Sequence, residues 1–148
     1  MSANIVTAGG LMLTGSSSTL PVQALVGSAS NRLELIEMSI INTTATACVW
    51  GLWKISTAGT PGAALTPAAH DVNDVTTGTL RGTYSGSVPT LGVDMGYRFS
   101  IPATIGAGII RPFTPVGLVI PATQYAGIGL FPIGTPQLCY TDWTWLEV

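Results

Sequence analysis

Apolar runs in the last third of the chain recur about every ten residues, each closed by Gly or Pro. They are Tyr97 to Ile101, Gly108 to Phe113, Gly117 to Ile120, Gly127 to Phe131 and Gln137 to Val148. Runs of this length with turn residues between them predict short strands of a sandwich or barrel. Residues 32–41 have helix-compatible composition, yet they stop at Asn42-Thr43-Thr44 and a second apolar run, Ala45 to Ile55, follows. Two such runs around a short polar turn predict a hairpin. In the first strand Glu34 shares a face with Ile36, Met38 and Ile40, which predicts a sheet with one face partly wet. Residues 56–96 read mostly as loops, with strong turn chemistry at Thr57 to Gly62 and a Thr-rich edge strand within Val75 to Thr83.

Residues 1–31 form a different kind of segment. Ile5, Val6, Leu11, Met12 and Leu13 precede a Gly-Ser run, with no helical stripe. The expectation is an extended N-terminal arm with one or two strands over 1–31 and a β-sandwich domain over 32–148. An apolar arm must pack on its own body or on a neighbour. One short repeat is present: Ile101 to Ile109 aligns with Ile120 to Ile128, with seven of nine residues identical. Each copy reads as strand end, Pro-initiated turn and strand start, a turn solution used twice; a solenoid needs at least three copies.

Composition narrows the function. Of 148 residues only 12 are charged, against about 25% in an average domain. The hydrophobic fraction is 47%, and the net charge is −2. Disorder, coiled coil and phosphate-driven nucleic-acid binding all need other compositions. A monomer of this mass exposes roughly 7,000 Å², and so few charges on that area point to surface covered by other subunits, the alternative being a surface coated with Thr, Ser and Gly. Residues 1–31 and 112–141 carry no charge at all and are the candidates for it. The second stretch is long enough to span a membrane, but five prolines exclude a transmembrane helix. No Lys or Arg opens the chain, so a secretory signal is not expected.

Catalytic chemistry is thin. His70 is the single histidine; Asp71 beside it fits a turn with local hydrogen bonds better than part of a triad. Asp71, Asn73 and Asp74 lack the spacing of a calcium loop, and no phosphate-binding glycine loop occurs. No cofactor, metal or enzymatic activity is expected. Cys48 and Cys139 read as buried reduced thiols. Trp50 and Trp53 fall on opposite strand faces, Trp143 and Trp145 on the same one. At least one of the first two should reach an interface or a ligand groove. The interface candidates are therefore Ile5, Val6, Leu11, Met12, Leu13, Trp50, Trp53, Trp143 and Trp145.

Three stretches carry a resemblance: Thr57 to Gly62 with Leu65-Thr66 and His70-Asp71; Asp94-Met95-Gly96-Tyr97-Arg98; and Gly117 to Pro121 with Gly127-Ile128-Gly129. Together they resemble small β-rich decoration, or cement, proteins of tailed-bacteriophage capsids, over roughly residues 32–147. The resemblance implies a jelly-roll-like antiparallel β-sandwich, a homotrimer bound to the major capsid protein on the outer virion surface, and no enzymatic role. Nucleic acid and membrane are not expected partners. The rival expectation is a receptor- or carbohydrate-binding sandwich of a phage fibre or tail, which requires solvent-facing tryptophans.

Overall fold

A computed structural model describes residues 3–12, 21–57, 59, 60, 62–82, 84, 89–123 and 126–148. The fold is all-β: two six-stranded antiparallel sheets pack face to face as a sandwich. Twelve strands are described: β1 (Asn4–Leu11), β2 (Gln23–Val26), β3 (Leu33–Asn42), β4 (Cys48–Ile55), β5 (Ala64–Leu65), β6 (Ala68–Ala69), β7 (Thr79–Gly82), β8 (Leu91–Ile101), β9 (Gly108–Pro112), β10 (Leu118–Ile120), β11 (Gly127–Pro132) and β12 (Cys139–Glu147). The front sheet runs β10-β3-β12-β1-β6, with β9 also on β3; the back sheet runs β5-β7-β2-β11-β4-β8.

The inner faces meet in one apolar core that includes Val6, Leu25, Leu35, Met38, Trp50, Leu52, Phe99, Leu130, Trp143 and Trp145. This overturns the division at residue 31. β1 pairs with β12 along its whole length, from Asn4↔Glu147 to Leu11↔Tyr140, and β2 lies between β7 and β11. Residues 4–11 and 23–26 are central strands of the sandwich, not an arm outside it.

No described pairing joins strands that are consecutive in the chain. The hairpin expected at Asn42-Thr43-Thr44 is instead a crossing from the front sheet (β3) to the back sheet (β4). Asn42 explains the crossing. Its side chain is buried and donates to the carbonyls of Thr46 at 2.8 Å and Pro102 at 3.0 Å. Its Oδ1 accepts from the Thr44 amide and hydroxyl, each at 3.0 Å. The turn is therefore closed by side-chain capping rather than by a ladder.

The repeat also marks crossings. The first copy leads from β8 at the back to β9 at the front, the second from β10 at the front to β11 at the back. Both use the same two bonds: Thr104 N to Pro102 O and Ala107 N to Thr104 O in one, Thr123 N to Pro121 O and Ala126 N to Thr123 O in the other. The shared sequence encodes a corner between sheets.

β3 departs from simple alternation. Its buried residues are Leu33 and Leu35, then Met38, Ile40 and Asn42. The register against β12 slips between Thr144 and Trp145, so Ile36 has no opposite residue. This bulge exchanges the two faces midway along the strand. Glu34 consequently stays off the core face that Met38 and Ile40 occupy.

Candidate interaction face

The outer face of the front sheet holds a row of exposed apolar side chains. Leu11 on β1 sits opposite Tyr140 on β12, which sits opposite Ile41 on β3. Ile110 on β9 lies diagonally beyond Ile41, because Gly108 is the residue paired with Ile41 and Ile110 is two further along. The four are 41%, 51%, 40% and 68% exposed. Four adjacent strands at about 4.8 Å spacing make this row roughly 14 Å wide. A polar band flanks it, where Ser39 donates to Asp142 at 3.2 Å. Further along, Thr7 shares hydrogen bonds with His70 Nε2 at 2.8 Å and with Thr144 at 3.3 Å. Ile5 and Val119 are exposed beyond that band.

The nine interface candidates separate cleanly. Ile5 and Leu11 lie on this outer face. Val6, Met12, Trp50, Trp143 and Trp145 are sealed in the chain's own core and reach no interface. Strand alternation turns them inward: β12 reads buried at Thr141, Trp143, Trp145 and Glu147 and more open between. Leu13 lies outside the described residues. Trp53 is on the opposite face of β4 from Trp50, as their odd spacing requires. It packs edge-on against Phe131, with ring centroids 5.4 Å apart, in a second small cluster with Ala24, Val26, Ile55 and Tyr84.

That cluster makes the two outer faces unequal. The back sheet is apolar on both sides over β2, β11 and β4, and every residue of β2 and β11 is buried. Over Trp53 stands the Arg98 guanidinium, 5.1 Å from the ring centroid. Arg98 is held by Asp94, at 2.5 and 2.9 Å. That pairing, with a bond from the Gly96 amide, holds the Asp94 carboxyl below its usual range and the guanidinium above its own. Gly96 has φ +75°, the left-handed backbone that lets β8 bulge here.

His70 and Asp71 are not an acid–base pair. The His70 amide donates to Ile5 O at 2.8 Å, extending the β1–β6 contact, while its ring holds Thr7. Asp71 instead caps its own turn, accepting from the Asn73 amide at 3.0 Å. A mostly apolar groove of about 340 Å³ opens between β8 and β10, where Val93, Met95, Val119 and Ile120 line it beside Lys54.

No protein-family profile matches the chain, and no curated protein or solved structure is found similar to it.

Ile41, Tyr140 and Ile110 were absent from the sequence-based candidates. The signal for two of them was present. Ile40-Ile41 and Ile109-Ile110 are apolar doublets within strands. Adjacent strand residues point to opposite faces, so one isoleucine of each doublet must face outward. Tyr140 carried no such mark.

Proposed function

We propose that the protein is a bacteriophage virion component, a capsid decoration protein that trimerises and bridges major capsid subunits on the outer surface of the head. Its role is structural rather than catalytic. The observation that supports this reading is the contiguous exposed row Leu11, Tyr140, Ile41 and Ile110 across four strands of the front sheet. A flat, ladder-held sheet face loses little side-chain and no backbone freedom on docking, so its apolar area converts efficiently into affinity. Removing a few hundred Å² of it from water contributes on the order of several kcal/mol per contact. Many copies on one shell turn such contacts into avidity.

The rival glycan-binding reading required open tryptophans. Trp50 and Trp143 are fully enclosed, and Trp53 is half-buried beneath Arg98. Nothing favours it.

Sedimentation at micromolar concentration, alone and with empty phage capsid shells, tests the proposal. The expected result is an oligomer that co-sediments with shells, and an Ile110→Glu variant that folds but does not. Ile110 is chosen because its exposure leaves the core untouched. A compact monomer that ignores the shells, or an Ile110→Glu protein that binds them undiminished, refutes it.

A further inference from the structure

We propose that Cys48 and Cys139 are a cross-linking site: folding in the presence of a small-molecule disulfide, such as oxidised glutathione, joins them into one intramolecular disulfide between the two sheets. The proposal is independent of the virion reading. Cys48 opens β4 in the back sheet and Cys139 opens β12 in the front sheet. They are 91 residues apart in the chain, yet their sulfurs lie 3.7 Å from each other in the core. A bonded pair needs about 2.05 Å. Both residues stand at strand beginnings, beside a turn, where side-chain rotation and a small backbone adjustment can close the gap. Trp50 lies on the same inner face as Cys48, two residues on, so an indole lines the site.

The chemistry balances as thiol–disulfide exchange. One cysteine thiolate attacks a glutathione sulfur, breaking its S–S bond and releasing one glutathione thiolate. The second cysteine thiolate then attacks the protein-bound sulfur and expels the other glutathione. The two protein thiols lose two electrons and two protons; oxidised glutathione becomes two reduced molecules.

Access decides when this happens. Inside the closed sandwich both sulfurs are shut off from solvent, and burial, with the neighbouring Cys48 thiol, pushes Cys139 up to about 12. Glutathione cannot reach either sulfur there, and the Cys139 thiolate is disfavoured. Exchange therefore belongs to the open chain, before the sheets close, and the folded protein retains the redox state in which it folded. A bond across so long a loop constrains the unfolded chain strongly and raises Tm by roughly 10 °C.

The full chain is unfolded in urea and refolded by dilution into oxidised glutathione or into a phosphine reductant. The oxidised product is expected as a species about 2 Da lighter, with no maleimide-reactive thiol after denaturation and a raised Tm that reduction of the unfolded chain reverses. Folded reduced protein in the same oxidant is expected to keep both thiols. Cys48→Ala, refolded alongside, is expected to form no intramolecular bond and to show the same Tm whether refolded with oxidised glutathione or with reductant. The proposal is overturned by refolded protein with free thiols or only glutathione adducts, by disulfides between chains, by failure of the oxidised chain to refold, or by an oxidised form that melts no higher. Oxidation of the folded protein as fast as an open thiol overturns the gating by folding.

Discussion

Replacing Glu147 by Ala removes the acceptor that closes one end of the sandwich. The carboxylate is buried near the end of β12. Its Oε1 accepts from the Gly78 amide at 2.7 Å and from the Trp145 indole N–H at 3.1 Å. Its Oε2 accepts from the Thr77 amide and hydroxyl, each at 2.9 Å. Thr77 in turn is reached by the Asn31 side-chain amide at 3.0 Å. Residue 78 must be glycine for this approach, since a Cβ there would stand 3.0 Å from Oε1 and 2.9 Å from Leu33 and the Trp145 nitrogen. The Gly78 and Trp145 donors are buried, and water cannot readily replace the carboxylate for them. An orphaned buried donor costs about 1–3 kcal/mol, so two give about 4 kcal/mol. The half-buried Thr77 groups add less, because water can reach them. Against a total stability of about 5–15 kcal/mol this is a large fraction. With a urea m-value of about 2 kcal/mol/M, the midpoint falls by about 2 M. Glu147→Gln keeps one acceptor oxygen and loses about half as much. Urea unfolding followed by tryptophan fluorescence reads both. A Glu147→Ala midpoint within about 0.5 M of the parent, at unchanged m, refutes the reasoning.

Other perturbations separate other parts of the fold. Asn42→Ala frees the β3–β4 crossing from the β8–β9 corner and is expected to cost about 2–4 kcal/mol in urea unfolding. Tyr84 is buried with no hydroxyl partner among the described residues, so Tyr84→Phe is expected to leave stability unchanged or raise it by up to about 1 kcal/mol. Burial pushes the Tyr84 phenol up to about 12 from its ordinary 10. Between those two values the unfolded chain loses the proton and the folded chain keeps it, so stability falls as pH rises; Tyr84→Phe should shallow that alkaline loss in unfolding curves at pH 9, 10 and 11, leaving the part due to Cys139. At the acid end, Asp94 should titrate by NMR below an ordinary aspartate, and Arg98→Ala should raise it toward the usual range while the Gly96 amide still holds it partly down. Asp94 ionises more readily folded than unfolded, so its contribution is present above the ordinary carboxylate range and is lost as pH falls through its own lowered value.

Strand positions were more legible than strand partners. Gly108 to Phe113, Gly117 to Ile120 and Gly127 to Phe131 match β9, β10 and β11 within one residue at each end, because Gly and Pro end strands by local sterics. Partnership is not local. Asn42-Thr43-Thr44 has the composition of a hairpin turn, yet the buried Asn42 side chain bonds to Pro102, 60 residues away, and turns the chain into the other sheet. The repeated Ile-Pro-Ala-Thr segment was legible as strand end, turn and strand start, but its passage from one sheet to the other was not. Its internal hydrogen bonds are those of a turn; which sheet the next strand joins is decided by packing. The bulge at Ile36 hid the faces of β3, since a period-two reading carries its parity through a residue that has no partner.

The candidate site was half legible, and charge explains the missing half. Absence of charge marks a residue as able to be buried, without saying by what. The two charge-free stretches contain β2 and β11, which lie side by side in the back sheet and are apolar-packed on both faces. Their lack of charge is spent inside the chain itself. The accessible area, 6963 Å², equals what a self-contained monomer of this mass exposes, roughly 7,000 Å². A charge deficit therefore identified the innermost strands as readily as an interface. Exposure tells them apart: of the charge-free residues, Leu11 and Tyr140 remain open within the row, Ile5 and Val119 beyond it, and Ile41 and Ile110 join from charged segments. If that row docks, the docking surface is drawn from both kinds of segment, and Ile110→Glu should abolish association while a charge placed within β11 should abolish folding.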